Sequence, residues 1–160
     1  MTPFVTSVHG HSNEQRRLLS ARFPSHPGLR DAFPNNVPES YTLDNSCLGW
    51  AAGGHYHHQK NELFRCVHGA LDVILRKVDA EGRSLHATVR LTRAEPTFLF
   101  VPAGYYHEVI MVDPDSILLV HSSTLFQEAP HTDEVRALPD GYDKDASVEL
   151  LVVERVSHHY

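Results

Sequence analysis

From residue 41 onward, short runs rich in β-branched and aromatic residues alternate with turn-forming residues. Runs of this kind, bounded by glycine, proline, asparagine or aspartate, are typical of β-strands. Gly69 would close one hairpin, and the segment 80–82 would close the next. The pattern therefore predicts strands over residues 41–49, 54–57, 62–67, 70–78, 84–91, 97–101, 107–112 and 116–123.

Many short strands at this spacing predict an all-β sandwich or barrel. The chain has 160 residues, 41% of them hydrophobic, which is enough for one substantial core and too few for two ordinary domains. We expect a single barrel domain over residues 39–160, preceded by an N-terminal arm over residues 1–38. Within this arm, which is rich in turn-forming residues, only the segment 13–23 is predicted to form a short helix.

Two further segments follow the last of these strands. Residues 127–144 are polar and contain proline, and we interpret them as a lid or a docking loop. Residues 147–156 are mostly apolar and are predicted to return as a strand. A strand so late in the chain is expected at the edge of a sheet, where an uncovered edge favours pairing with another chain. We therefore expect a homodimer.

Composition excludes several classes of partner. The formal net charge of -6 argues against nucleic acid as the main partner. No apolar run approaches the ~20 residues that a membrane-spanning helix needs. The N-terminus lacks the charged-then-apolar order of a signal peptide, so we expect a cytoplasmic protein that acts on a small molecule.

The segment 49–62 carries the candidate chemistry. His55 and His57 are two residues apart, so on a strand they point to the same face. Glu62 starts the next predicted strand, and His107 lies in a downstream segment that reads Pro-Ala-Gly-Tyr-Tyr-His. Three imidazoles and one carboxylate form a ligand set for a borderline divalent ion such as Zn, Fe, Ni or Mn. The sequence therefore predicts a metal site made by these four residues.

The same residues resemble the two-part signature of the cupin superfamily. The first part, G-x5-H-x-H-x4-E-x6-G, is filled in every place by residues 49–69. The second part, P-x-G-x2-H, ends at His107, although Pro96 and Met111 stand where a glycine and an asparagine are usual. The resemblance implies an RmlC-like jelly-roll barrel that holds its ligands inside.

Within the cupins, residues 41–126 resemble three neighbouring groups. These are the dTDP-4-dehydrorhamnose 3,5-epimerases, the dTDP-4-oxo-6-deoxyglucose 3,4-ketoisomerases, and the zinc-holding C-terminal cupin of capsule-sugar reductase/epimerases. All three groups act on nucleotide-linked 4-keto sugars, which is the substrate class that the resemblance implies. It also implies an isomerase that works by removing a proton next to the ketone.

The chain departs from the pattern of each group at particular residues, and these differences indicate which group it resembles most. The 3,5-epimerases have an arginine just before their histidine, which residues 51–54 lack, and their catalytic lysine would fall at Glu62. The paired histidines of the ketoisomerases correspond to His55 and His57, and a tyrosine on the preceding strand corresponds to Tyr41. The zinc cupin of the capsule enzymes matches Glu62 best.

The reaction needs a group that can take and return a proton near neutral pH. If no ion binds, His55 or His57 is itself the base, because imidazole titrates in this range. If the four predicted ligands hold an ion, their lone pairs are occupied and the base must be another residue. The candidates for that role are His58, His121, Tyr41 and Tyr105.

The sequence also offers candidate residues for substrate contacts and leaves two alternative functions open. Arg65, Arg76 and Arg90 are candidates for pairing with a diphosphate, and Tyr56 for stacking on a sugar or base. One alternative function is a metal-dependent dioxygenase, lyase or decarboxylase acting on a small carboxylated or enediol substrate, because three histidines and one glutamate leave two positions open on an octahedral ion. Another alternative is a cupin that binds a small molecule without turnover.

Overall fold

The computed structural model describes residues 1–7, 9–12, 17–20, 27–33, 39–44, 51–95, 97–125 and 133–156. Strands dominate this part of the chain, together with helix α1 (Pro27–Ala32). The strands are β1 (Phe4–Ser7), β2 (His9–Ser12), β3 (Arg17–Ser20), β4 (Glu39–Asp44), β5 (Ala51–His57), β6 (Glu62–His68), β7 (Ala70–Val78), β8 (Ser84–Thr92), β9 (Thr97–Val101), β10 (Tyr106–Met111), β11 (Ile117–Ser122), β12 (Glu134–Val135), β13 (Glu149–Leu150) and β14 (Glu154–Val156).

Two six-stranded sheets face each other across the core. The first sheet has the strand order β14-β1-β9-β6-β11-β4, and the second has the order β12-β5-β10-β7-β8-β13. Strands β2 and β3 form a separate two-stranded sheet. Apart from the consecutive pair β7 and β8, neighbours in each six-stranded sheet are not consecutive in the sequence, as in a jelly roll. The predicted all-β barrel is therefore confirmed.

The core lies between the sheets and follows the period-two alternation of the strands. On β7, Leu71, Val73 and Leu75 are fully buried and point inward. Strands β6, β9, β10 and β11 send alternate apolar side chains into the same cluster. A second cluster covers the outer face of the first sheet, where Phe100 packs against Phe33 and other side chains from the N-terminal segment.

Part of the predicted arm belongs to the barrel. Strand β1 lies between β14 and β9 in the first sheet, and Phe4 is 2% exposed and stacks on Phe100 at 4.9 Å. The predicted helix over residues 13–23 is wrong, because Arg17–Ser20 form β3 and pair with β2. The helix begins instead at Pro27, a residue whose fixed φ suits the first helical turn.

The strands after residue 41 were predicted well, and the end of the chain less well. Residues 70–78 and 97–101 form strands with the predicted bounds. Of the predicted strand over 41–49, residues 41–44 belong to β4, and residues 45–50 lie outside the described residues. The predicted strand over 147–156 is divided, because β13 pairs with β8 in the second sheet and β14 pairs with β1 in the first.

Two predictions concerned the C-terminal part of the chain: a lid or docking loop over residues 127–144, and a homodimer. Residues 127–132 of the predicted lid lie outside the described residues, but β12 pairs with the edge of β5 and so belongs to the second sheet. Leu150 on the edge strand β13 and Val152 just after it are 81% and 65% exposed, and the homodimer stays a prediction. In the described part of the chain, no helix has the length and apolar character that crossing a membrane requires.

Candidate functional site

Three histidines meet at one end of the barrel interior. His55 lies opposite His107 in the register of β5 and β10, and their ring centroids are 4.6 Å apart. His57 is two residues further along β5, with its ring centroid 4.8 Å from that of His55. One ring nitrogen from each residue lies within 4.8 Å of the others, so the three form a group that can hold a metal ion.

Glycine at position 53 permits this close approach. Gly53 has a φ of 82°, in the left-handed region that favours glycine. A Cβ atom there would lie 2.7 Å from the carbonyl oxygen of His107, so a side chain would push β5 away from β10. The register of the two strands also shifts between His107 and Glu108, which is a β-bulge. Bulges of this kind re-aim side chains, here beside the histidine site.

Glu62 completes the site from the facing sheet. The residue is 3% exposed, and its Oε2 atom lies 3.2 Å from Nε2 of His107 and 3.9 Å from Nε2 of His57. The hydroxyl of Tyr41 donates a hydrogen bond of 3.3 Å to Oε1 of Glu62. Among the described residues, Oε2 has no hydrogen-bond partner, although it is fully buried. A buried carboxylate oxygen in this condition needs a partner such as a cation.

The other nitrogen of each histidine faces an oxygen acceptor. Nδ1 of His57 lies 3.3 Å from Oδ2 of Asp133, and Nδ1 of His55 lies 3.7 Å from Oε1 of Glu134. These two are close contacts without hydrogen-bond alignment. Nδ1 of His107 is 3.3 Å from the backbone oxygen of Tyr105. In metal sites, acceptors at one ring nitrogen orient the other nitrogen toward the ion.

Burial sets the protonation states of the group. Burial, reinforced by the neighbouring His107, lowers the pKa of His57 to about 2, and burial lowers the pKa of His107 to about 4. Burial also lowers the pKa of His55 and raises that of Glu62 to about 7. The imidazoles are therefore neutral at pH 7, which is the form that binds metal. With the unpartnered Glu62 oxygen, this donor set fits a divalent ion.

Asp133 is a site residue that the sequence analysis missed. It lies in the segment interpreted as a lid, and nothing in its local sequence distinguishes it from other acidic residues of that segment. Its Oδ1 atom accepts a hydrogen bond of 2.7 Å from the backbone N–H of Gln59, and its backbone oxygen accepts one of 2.9 Å from His58. The residue is therefore fixed to the turn that follows β5. Lys60 was also not selected from the sequence, although it is 5% exposed on the same turn and its positive charge acts on Glu62.

Replacing Asp133 with asparagine should weaken zinc binding by about 10- to 100-fold, the usual effect of losing a carboxylate behind a ligand histidine. Asparagine keeps the shape of the side chain and loses the charge beside His57. Glu134→Gln should cost less, because the Glu134 carboxylate is further from its histidine, at 3.7 Å, and also pairs with Arg136. Calorimetric titration of the metal-free proteins with zinc measures both effects. Equal zinc affinity in Asp133→Asn and wild type would contradict the orienting role.

The candidate arginines lie on the outer faces of the sheets. Arg76 pairs with Glu108 at 3.4 Å, and Arg90 pairs with Asp72. Both pairs lie on the face of the second sheet that is opposite to the inward residues of β7 and β10. Arg65 lies over the ring of Phe98 at 5.7 Å on the outer face of the first sheet. The structure therefore does not bring these arginines to the histidines.

The remaining candidates divide between the two faces. Tyr41 and Tyr105 contribute to the interior cluster, and the hydroxyl of Tyr41 contacts Glu62, one of the four grouped residues. His121 alternates with the inward Val120, and its Nδ1 atom lies 2.6 Å from the hydroxyl of Ser40 on the outer face. Tyr56 makes an edge-to-face ring contact with the exposed His58, with centroids 5.5 Å apart, on the face away from His55 and His57. Alternation along their strands turns His121 and Tyr56 away from the interior, so the structure does not bring these two candidates to the histidines.

Solved structures with the same fold are sugar-modifying enzymes. QdtA, a sugar 3,4-ketoisomerase from Thermoanaerobacterium thermosaccharolyticum, has a TM-score of 0.67 and 15% identity, over 84% of this chain and 88% of that one. ChmJ, a 3'-monoepimerase from Streptomyces bikiniensis in complex with dTDP-quinovose, has a TM-score of 0.65 and 19% identity, over 82% and 67%. The rmlC epimerase of Mycobacterium tuberculosis has a TM-score of 0.66 and 13% identity, over 82% and 66%. These matches confirm the RmlC-like cupin fold.

A comparison with curated proteins gives no match. The family model described as "Polysaccharide biosynthesis C-terminal domain" matches residues 39–134, which include the four grouped residues and both acidic residues behind the histidines. Because the match covers more than half of the chain, this protein belongs to the polysaccharide biosynthesis C-terminal domain family.

Proposed function

We propose that this protein is a metal-binding isomerase that moves a proton next to the ketone of a nucleotide-linked 4-keto sugar. The observation that carries the proposal is the buried group of three neutral histidines and one unpartnered glutamate oxygen inside the barrel. Relatives in fold support the substrate class, since QdtA is described in complex with TDP-4-keto-6-deoxyglucose. The reaction would be an epimerisation or a shift of the ketone.

His55, His57, His107 and Glu62 would hold the ion. When bound, a divalent ion supplies Lewis-acid stabilisation for the negative charge that develops on a sugar oxygen when a neighbouring C–H loses its proton. The interior position of the residues excludes bulk water, which strengthens this stabilisation.

Tyr41 is the side chain best placed to donate a proton. Burial, with a further contribution from the Glu62 charge, raises its pKa above the ordinary value, so its hydroxyl keeps its proton at neutral pH. The hydroxyl already donates to Glu62, and a sugar oxygen beside that carboxylate would be within its reach. Because this hydroxyl keeps its proton, Tyr41 would donate to the sugar oxygen and would not be the base that takes the proton from carbon.

Incubation with TDP-4-keto-6-deoxyglucose in D2O tests the reaction. Deuterium should enter at C3 or C5, and the label should disappear when a chelator removes the metal and return when one equivalent is restored. Exchange that survives chelation would instead make His55 or His57 the base, because their lone pairs would then be available. Absence of label under all conditions, with the metal bound, would overturn the proposed reaction.

A second candidate function is a metal cupin that activates dioxygen or cleaves a carboxylated substrate. The ligand set favours it, since three histidines and one glutamate leave open positions on an octahedral ion. Oxygen consumption by the Fe(II)-loaded protein in the presence of an enediol or carboxylated substrate, without deuterium exchange on the keto sugar, would support this candidate. Binding of the keto sugar without either reaction would indicate a binding protein.

A further inference from the structure

Lys77 is an inward-pointing cation on a strand whose other inward residues are apolar. On β7, the side chains of Leu71, Val73 and Leu75 enter the core at alternate positions. The alternation continues to Lys77, whose Nζ atom lies 4.1 Å above the ring of Tyr105, a member of the same interior cluster. The ring thereby holds the ammonium group in a cation–π contact.

Lys77 lies just beyond the histidine group along the barrel. Leu75 is the register partner of His107, and Lys77 is two residues further on the same strand, a distance of about 7 Å along the strand axis. In the opposite direction along β7, the inward residues Val73 and Leu71 are fully buried and apolar, and Leu71 is the register partner of the buried Met111. Along this strand, a charged ligand group beside the histidines would therefore meet an opposite charge on the Lys77 side.

The charge of Lys77 has no carboxylate partner. Within the described part of the chain it forms no ion pair, whereas Arg76 pairs with Glu108, Arg83 with Asp79 and Arg90 with Asp72. Lys77 is partly buried, and this partial removal of the ammonium group from water lowers its pKa. A partly desolvated cation without a counter-ion is a favourable site for an anionic ligand group.

We propose that Lys77 binds the phosphate that joins the sugar to its nucleotide while the sugar occupies the histidine site. This inference rests on the proposed function. The phosphate is attached to C1, on the side of the sugar ring opposite to the C4 ketone. With the ketone at the histidines, the phosphate would lie on the Lys77 side of the histidine group. Lys77 directly follows Arg76, the register partner of Tyr106, on β7.

Charge balance supports the same assignment. The site holds three carboxylates, those of Glu62, Asp133 and Glu134, close to the histidines. A diphosphate approaching them would be repelled unless a cation lay on its side of the site. The arginines predicted for this role are on the outer faces. Arg136 pairs with Glu134, and the charge of the buried Lys60 acts on Glu62. Lys77 is therefore an inward cation without a carboxylate partner among the described residues. It would select nucleotide-linked sugars over free sugars.

Calorimetric titration with thymidine diphosphate tests the assignment. Lys77→Gln should weaken binding about tenfold or more, the effect expected when one charge-assisted hydrogen bond is lost. Lys77→Arg should retain most of the affinity because it keeps the charge. The control is Arg93→Gln, which removes the same charge from an exposed residue at the opposite end of the barrel, where its backbone N–H binds Gly69; its affinity should match wild type.

Deuterium exchange separates this inference from the proposed function. With the keto-sugar nucleotide, Lys77→Gln should raise KM and leave kcat within about threefold, because the phosphate contact contributes equally to ground state and transition state. Unchanged thymidine diphosphate affinity in Lys77→Gln would overturn the phosphate assignment, even if exchange occurs. Affinity that depends on Lys77 in a protein that shows no exchange would leave the phosphate site in place and remove only the proposed reaction.

Discussion

Replacing Glu62 with glutamine should remove the bound divalent ion and lower the rate of deuterium exchange by at least about 100-fold. Glutamine has the same size, so the buried side chain can keep its position on β6. It lacks the negative charge that faces Nε2 of His107 at 3.2 Å and Nε2 of His57 at 3.9 Å. Three neutral imidazoles then remain as the ion's ligands, without charge compensation.

Elemental analysis and the exchange assay measure the two effects of Glu62→Gln. The matched control is Glu108→Gln, the same substitution on the outer face of β10, where the carboxylate pairs with Arg76. The control should keep one ion per chain and wild-type exchange. A Glu62→Gln protein that retains the ion and full activity would show that the carboxylate is neither a ligand nor part of the reaction.

Replacing Gly53 with alanine should lower the free energy of unfolding by about 2–5 kcal/mol, from two separate causes. The backbone there has a φ of 82°, and an L-residue in the left-handed region costs about 1–2 kcal/mol. The new Cβ atom would also lie 2.7 Å from the carbonyl oxygen of His107, and overpacking of this kind typically costs about 1–3 kcal/mol. Chemical denaturation measures the sum.

Gly82→Ala is the matched control for the steric contact of the new Cβ atom. Gly82 has a φ of 79°, but a Cβ atom there would meet nothing within 4 Å. Its substitution should therefore cost only the backbone part, about 1–2 kcal/mol. Because Gly53 sets the distance between β5 and β10, Gly53→Ala should also weaken zinc binding, whereas Gly82→Ala should not. Equal stability losses in the two variants would refute the steric contact.

Strand periodicity and the histidine spacing are strongly local signals, which explains why much of the barrel was predictable. Strand β7 was predicted with its observed bounds, and the face that His55 and His57 share follows from their separation by two residues. The segment 13–23 shows the limit of this method. Its composition permits a helix, but pairing of β3 with β2 gives its backbone groups other partners.

Which residues join the site from outside the motif depends on topology, and sequence alone did not predict it. Asp133 reaches His57 because β12 adds to the edge of β5, a pairing between segments that are distant in the chain. The three arginines were assigned to phosphate by their chemistry alone. Their strand positions turn them outward, where carboxylates such as Glu108 and Asp72 neutralise two of them. Alternation along β7 places Lys77 on the same face as the apolar residues 71, 73 and 75. Choosing basic residues by their strand face would therefore have favoured Lys77 instead.

The two-residue strand β12 has a consequence for recognising related proteins. The carboxylates that lie beside His55 and His57 belong to residues 133 and 134, far from the histidine motif and outside any spacing rule that defines it. A survey that selects chains by the motif alone would therefore not test whether an acidic side chain lies behind the imidazoles. A comparison of folded coordinates would identify the proteins that share this feature.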